Sequence, residues 1–223
     1  MFKVVTLYKR KAGMDVDSFQ QRWLGEHAPI AARIPGLRRY VQSHALAQGY
    51  KKGELIYDGI SEMWFDSEPA YRRASASEAF SAVLQDAEAF TDRSKTIVMT
   101  VDVHVIKDGV IPVPAVKNIE FVNQRPGMDL HAFRRYWKEV HGPIASKIEV
   151  VRRYEQNHLC IQEYEAPQRP VFDGLAITWF HSTADMKQGA TTQAYAVTRA
   201  DEPHFLPDGH LPIIVATEHV IVP

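Results

Sequence analysis

The strongest constraint on this chain is that it contains one sequence unit twice. The first copy carries Met14, Asp15, Phe19, Trp23, His27, Pro29, Ile30 and Ala31, which return 114 residues later as Met128, Asp129, Phe133, Trp137, His141, Pro143, Ile144 and Ala145. After a one-residue change of offset, Asp58, Gly59, Trp64 and Phe65 return as Asp173, Gly174, Trp179 and Phe180. Because the spacing of these residues is preserved over such a long stretch of sequence, we infer a duplication. It predicts two like units, residues 1–110 and 115–223, joined by a proline-containing connection.

Within each copy the hydrophobic pattern predicts the order strand, helix, strand, strand, helix, strand. The predicted strands are 2–9, 38–46, 59–65 and 96–106 in the first copy, and 116–124, 152–161, 174–180 and 212–222 in the second. Helices are expected after Met14 and Met128 and over 67–90 and 182–199. This is the βαββαβ order of ferredoxin-like units, so the fold class is α+β. Each unit leaves one sheet face uncovered, which favours two sheets packed face to face as a barrel with a pocket between them.

Composition excludes several classes of protein. The 26 basic and 27 acidic residues leave a net charge of −1, which offers no basic field to nucleic acid. No apolar run is long enough for a membrane span. One cysteine, Cys160, allows no internal disulfide, and we therefore expect a cytoplasmic protein. A homodimer through outer sheet edges or helix faces stays possible.

No local motif points to a bound metal or cofactor. Closely spaced histidine pairs, a glycine-rich phosphate loop and a Gly-x-Ser-x-Gly elbow are all absent. The prediction is therefore no metal and no cofactor. Haem stays open, because one axial histidine suffices and leaves no motif.

The repeated pattern Phe-x-x-x-Trp-x-x-x-His-x-Pro-Ile-Ala, followed by Arg-Tyr-x-Gln-x-His, resembles the EthD family of the dimeric α+β barrel superfamily. Both copies carry it. The resemblance implies the fold and, more loosely, a reaction, because similar proteins include isomerases, decarboxylases and dehydratases of aromatic or lactone substrates. The wider superfamily adds cofactor-free monooxygenases and haem peroxidases.

The candidate catalytic histidines of the helices are His27 and His141, each two residues before a proline. Because the residue before proline disfavours helical geometry, we expect a helix break at Ala28 and Gly142 that lets each imidazole reach the barrel mouth. The alternative is a core histidine bonded to a backbone carbonyl.

Further candidates lie on the strands. Tyr40, Gln42 and His44 alternate, as do Tyr154, Gln156 and His158, so each set shares one sheet face. We expect that face to line the pocket between the sheets, the alternative being a solvated outer strand. His104 and His219 repeat on the last strands, and Asp102 would orient His104. Predicted substrate contacts are the tryptophans and polar residues Trp23, Trp137, Trp64, Trp179, Gln42, Gln156, Glu120 and Asp102.

The two copies differ chemically. Val4 and Thr6 of the first correspond to Asn118 and Glu120 of the second, which favours His141, Tyr154 and His158 of the second copy as the working site. We expect a cofactor-independent lyase or isomerase (decarboxylation, dehydration or double-bond migration) that acts on an aromatic or lactone-like molecule in a catabolic pathway. A cofactor-free monooxygenase and a non-catalytic small-molecule binding protein are the alternatives.

Overall fold

The computed structural model describes residues 1–223. Its strands are β1 (Phe2–Tyr8), β2 (Leu37–Ala45), β3 (Gly59–Phe65), β4 (Ile97–Lys107), β5 (Val116–Val122), β6 (Arg153–Leu159), β7 (Gly174–Phe180) and β8 (Ile213–Val222). Its α-helices are α1 (Val16–Arg22), α2 (Ala28–Ala31), α3 (Glu68–Ser75), α4 (Glu78–Ala87), α5 (Leu130–Tyr136), α6 (Gly142–Ala145), α7 (Thr183–Gly189) and α8 (Gln193–Asp201). All eight predicted strands are present, two of them with unchanged bounds.

Each long helix predicted for the second half of a unit is divided in two. Ser77 separates α3 from α4, because its side chain accepts a hydrogen bond from the Phe80 amide and caps a new helix. Thr192 does the same between α7 and α8, accepting from the Tyr195 amide at 3.2 Å. Serine and threonine favour such caps over helix interiors.

The strands are hydrogen-bonded in the closed order β1-β3-β2-β8-β5-β7-β6-β4, which confirms the predicted α+β barrel. The chain divides into two compact units: unit 1 comprises Met1–Val101 and Ala216–Pro223, and unit 2 comprises Asp102–Val215. The last strand of each sequence copy therefore contributes to both units. In unit 1, for example, the end of β8 pairs with β2, and Gln42 faces His219 in the register.

The first helix of each unit continues through the proline, so the predicted break is wrong. A π-helical turn, Trp23–His27 or Trp137–His141, follows α1 or α5 and runs directly into α2 or α6. Ala28 keeps helical angles of −57° and −44° ahead of its proline. Because a π turn inserts a residue into the helical repeat, it changes the direction in which the following histidine points.

The helices pack closely on one sheet face. Trp137 is 1% exposed, and a Cβ at Gly174 would lie 2.8 Å from its ring and 2.5 Å from the Asn157 carbonyl oxygen. Gly59 has the same relation to Trp23 in unit 1. The repeated Asp-Gly pairs therefore allow an indole to lie directly on the sheet.

Candidate active site

A cavity of about 250 Å³ lies between the sheet and the helices of unit 2. Its apolar wall includes Ile148, Val151 and Phe180. Polar side chains converge on it from β5, β6, β7, α7, α8, the turn after α8 and the histidine-bearing helix. They are Asn118, Glu120, His141, Tyr154, Thr178, Lys187, Tyr195, Thr198, Arg199 and Glu202. An apolar cavity with a few convergent polar groups has the composition of a small-molecule site.

His141 is held in one orientation by Asp201. Its Nδ1 lies 2.9 Å from Oδ2 of Asp201, and Oδ1 of the same carboxylate accepts a hydrogen bond from the Tyr136 hydroxyl at 2.7 Å. Since an ionised carboxylate only accepts hydrogen bonds, Nδ1 carries the proton and Nε2 keeps its lone pair. Burial lowers the pKa of His141 below 6.5, although Asp201 opposes the shift, and the imidazole is neutral at pH 7. The ring is therefore set up as a base.

Two carboxyl groups provide the acids of the cavity. Burial, reinforced by the charge of Glu120, raises the pKa of Glu202 to about 7, while Arg199 opposes the rise. Burial also raises the pKa of Glu120, which accepts a hydrogen bond from Asn118 Nδ2 at 3.0 Å. A carboxyl group with a pKa near neutrality can both donate and accept a proton under physiological conditions.

Tyr154 brings a hydroxyl group to the same cavity. Its oxygen accepts a hydrogen bond from Gln156 Nε2 at 3.1 Å, which leaves its own proton for a ligand. Burial raises the pKa of this phenol, so it remains protonated and able to donate.

The prediction that the Tyr-Gln-His row faces a pocket between the sheets is wrong. In unit 2 the His158 ring stacks on Trp137 at 4.3 Å and 5°, and Gln156 Nε2 donates to the Trp137 carbonyl oxygen at 2.7 Å. In unit 1 His44 stacks on Trp23 in the same way, at 4.4 Å and 3°. The row faces the helices of its own unit, because the π turn exposes a carbonyl that the glutamine satisfies and the indole provides an apolar surface for the imidazole.

Unit 1 repeats the histidine and its partner without the polar cavity. His27 Nδ1 lies 2.8 Å from Asp86 Oδ2, but the imidazole is fully buried and its Nε2 has no hydrogen-bond partner. The second oxygen of Asp86 accepts from Arg22, where unit 2 has Tyr136. The unit 1 cavity, of about 420 Å³, reaches neither His27 nor Tyr40.

The remaining predicted residues lie outside both cavities. His104 lies against His158 at 4.7 Å between ring centroids, and His219 against His44 at 4.5 Å. Asp102 does not hold His104 by a hydrogen bond; it accepts from Arg134 Nη2 at 2.8 Å.

Trp64 and Trp179 lie on the sheet face opposite the helices. The ammonium groups of Lys3 and Lys117 lie 4.7 and 4.9 Å from the centres of their rings. Gln42, like Gln156, is fully buried and donates a hydrogen bond to the carbonyl oxygen of the helix tryptophan.

Of the residues predicted from the sequence, His141, Tyr154 and Glu120 are the ones brought together at the unit 2 cavity.

Sequence reasoning missed the groups contributed by the second helix of each unit. The sequence repeats an aspartate, Asp86 and Asp201, at the same offset of 115 residues that relates Phe90 to Phe205. This repeated aspartate could have been identified as the hydrogen-bond partner of the helix histidine. Glu202, Arg199 and Thr198 could have been found by the opposite signal. At the same offset the first copy has Ala87, Leu84 and Val83, so polar residues replace apolar ones.

No group of three or more histidine, cysteine, aspartate or glutamate side chains converges into a metal-binding cluster. None of the helices combines the length and apolar character that crossing a bilayer requires.

Comparison with known proteins gives one family and one fold. The EthD domain matches residues 11–94 and 125–208, once in each sequence copy. No curated protein matches the chain.

Among solved structures, an anthrone oxidase-like protein is 10% identical with a TM-score of 0.67, covering 99% of this chain and 93% of that one. A monooxygenase-like protein from Lactobacillus acidophilus NCFM is 14% identical with a TM-score of 0.54, covering 99% and 93%. An ethyl tert-butyl ether degradation family protein from Bacillus halodurans is 25% identical over 46% of this chain and 98% of its own, with a TM-score of 0.39. The first two share the α+β barrel fold of this chain.

Proposed function

The chain belongs to the EthD domain family, and on that premise we propose that unit 2 is a cofactor-independent lyase or isomerase that moves protons on an aromatic or lactone-like molecule. The observation that carries this proposal is the cavity itself. An oriented neutral histidine, a phenol and a carboxyl group with a pKa of about 7 border the same cavity. Such a set combines a base, a hydrogen-bond donor for a developing oxyanion and a proton donor.

His141 Nε2 is assigned the role of general base. It removes a proton from carbon or oxygen of the substrate, and the imidazolium that forms is stabilised by Asp201 at 2.9 Å. Asp201 and Tyr136 are positioning residues, since they fix the tautomer through Nδ1 and act on the substrate only through the ring.

Tyr154 and Glu202 complete the sequence of proton transfers. The electron pair released by deprotonation moves onto the neighbouring oxygen of the substrate, where the Tyr154 hydroxyl donates a hydrogen bond. Protonated Glu202 then delivers a proton at a second carbon, which gives double-bond migration. In dehydration the same intermediate expels a hydroxyl group, which leaves as water with the proton from Glu202. In decarboxylation the breaking carbon–carbon bond supplies the electron pair instead of deprotonation, carbon dioxide leaves, and Glu202 protonates the carbon that loses it. Exchange of protons with solvent restores neutral His141 and protonated Glu202.

The substrate class follows from the size and walls of the cavity. An apolar cavity of about 150 Å³ is enough to hold benzene. The 250 Å³ here therefore suits a substituted single ring or a small bicycle. Ile148, Val151 and Phe180 provide the apolar contacts for such a ring.

A panel of substituted benzoates and lactones, assayed with dissolved oxygen recorded, tests the proposal. We expect conversion of a panel compound without oxygen uptake, and loss of conversion with retained binding in His141→Ala. Conversion that consumes oxygen would instead identify a cofactor-free monooxygenase, in which the same base deprotonates an activated aromatic. Binding without any conversion would identify a carrier. Sedimentation analysis of the same preparation tests the predicted homodimer.

A further inference from the structure

We propose that unit 1 contains a second ligand site, catalytically silent and selective for an uncharged apolar molecule. The site is the cavity of about 420 Å³ between the sheet and helices α3 and α4. It is larger than the cavity of unit 2. Protein interiors leave few voids bigger than a water molecule, so an opening of this size is not a packing defect.

The first argument is the chemistry of the lining. At the positions where unit 2 has Asn118, Thr178, Thr198, Arg199 and Glu202, unit 1 has Val4, Met63, Val83, Leu84 and Ala87. These five polar side chains are thus replaced by apolar ones in the corresponding place, and Thr6 replaces Glu120 without its carboxyl group. Water in such a cavity lacks hydrogen-bond partners, whereas an apolar ligand loses nothing there.

The second argument is that the polar groups that border the cavity already have partners, including the Thr6 hydroxyl, which is hydrogen-bonded to Tyr8. Thr91 Oγ1 donates to the Ala87 carbonyl oxygen at 2.8 Å, and Thr96 Oγ1 donates to the Asp92 carbonyl oxygen at 3.1 Å. At the rim, Arg93 Nη1 donates to Glu88 Oε1 at 2.7 Å. Arg93 and Glu88 are paired with each other at the exposed rim, so a charged ligand inside the cavity would be desolvated without a free charge beside it. The lining therefore selects against such a ligand.

The third argument is the mouth of the cavity. Leu84 is 57% exposed and Val98 is 52% exposed, and both also line the interior. The apolar surface therefore runs continuously from solvent into the cavity, which gives an apolar molecule a route of entry. In unit 2 the position of Leu84 is occupied by Arg199, which is engaged with Glu202.

This site goes beyond the proposed function, because the counterparts of His141 and Tyr154 do not border it. His27 is sealed off with an unpartnered Nε2, and Tyr40 does not border the cavity. Binding here and turnover in unit 2 can consequently be measured separately.

The test is a fluorescence titration of the full chain with N-phenyl-1-naphthylamine, which is uncharged and apolar. We expect saturable binding by the wild-type protein. Leu84→Arg places a charge at the exposed mouth without disturbing the core, and it should raise the dissociation constant about tenfold or more. Val83→Phe should remove binding by filling the cavity, with thermal unfolding recorded to show that the variant is folded.

Two controls make the result specific to unit 1. Val197→Arg introduces the same charge at a 46% exposed valine of α8 that borders neither cavity, and it should leave probe binding unchanged. His141→Ala should also retain binding. The proposal is overturned if the wild-type protein shows no saturable binding, if Leu84→Arg binds like the wild type, or if His141→Ala abolishes binding.

Discussion

The two units have cavities at corresponding positions, both with apolar walls, but more polar groups converge on the cavity of unit 2. In unit 2, Glu120, Thr178 and Glu202 border the cavity; in unit 1 the same positions are Thr6, Met63 and Ala87. Each unit nevertheless keeps the histidine, the aspartate that holds it and the stacked tryptophan. The His-Asp pair is therefore part of the repeated fold, whereas the side chains around it determine whether the histidine can contact a ligand.

The largest expected effect separates the two histidines. His141→Ala should lower turnover of a converted panel compound by roughly 10²- to 10⁴-fold, because it removes the general base. His27→Ala should leave turnover close to that of the wild type while lowering stability, since His27 is fully buried. Steady-state kinetics and thermal unfolding of both variants decide the matter. Equal losses of turnover in the two variants would contradict the assignment of the site to unit 2.

The equivalent tyrosines of the two units test whether the Tyr154 hydroxyl stabilises the oxyanion. Tyr154→Phe removes a hydrogen-bond donor from the unit 2 cavity and should lower kcat about 10²-fold. Tyr40→Phe is the matched control. It removes a hydroxyl that also accepts a hydrogen bond from a glutamine, at 2.7 Å, but Tyr40 does not border the unit 1 cavity, so kcat should be unchanged. A kcat of Tyr154→Phe equal to that of Tyr40→Phe would show that the phenol does not contact the reacting oxygen.

The pH dependence tests the acid of the site. Because Glu202 has a pKa of about 7 and must be protonated to donate, the rate should fall as pH rises through 7. On the acid side the rate should fall only below pH 6.5, where His141 with its lowered pKa becomes protonated.

Glu202→Gln should lower the rate about tenfold at pH 6 and remove the alkaline limb. Glu88→Gln changes an exposed carboxylate at the rim of the unit 1 cavity and serves as the control. An alkaline limb that persists in Glu202→Gln would assign it to another group.

The smallest effect is one that the two units should share. Burial lowers the pKa of His44 to about 3 and that of His158 to about 2, so both rings stay neutral in the folded protein. In the unfolded chain a histidine has a pKa near 6.5, so below that pH the unfolded chain binds protons that the folded chain does not. The folded protein therefore keeps its full stability above pH 6.5 and loses stability as the pH falls below it. Each ring should cost about 2 kcal/mol of unfolding free energy at pH 5.

Denaturant unfolding at pH 7 and pH 5 measures this loss. His158→Gln and His44→Gln should each flatten the dependence by a similar amount. A flatter pH dependence of the unfolding free energy in only one of the variants would show that the two stacked histidines are not equivalent.

Several features of the molecule were determined by sequence alone. The repeat predicted two like units, and alternation along the chain located all eight strands within a few residues, because a two-residue period is the signal of a strand. The contrast between Val4 and Asn118, and between Thr6 and Glu120, favoured the second copy as the working site, and Asn118 and Glu120 both border the unit 2 cavity.

Only the tertiary structure decided which face the polar rows present and which groups meet. The alternation of Tyr154, Gln156 and His158 shows that they share a face but not which layer covers it, and the π turn that offers a carbonyl to Gln156 has no sequence signature of its own. Asp201 lies 60 residues from His141, and Glu202 comes from a turn that sequence patterns describe only as polar. Their pKa values and partners depend on burial and on distances across the unit, and these exist only once the helices have packed on the sheet.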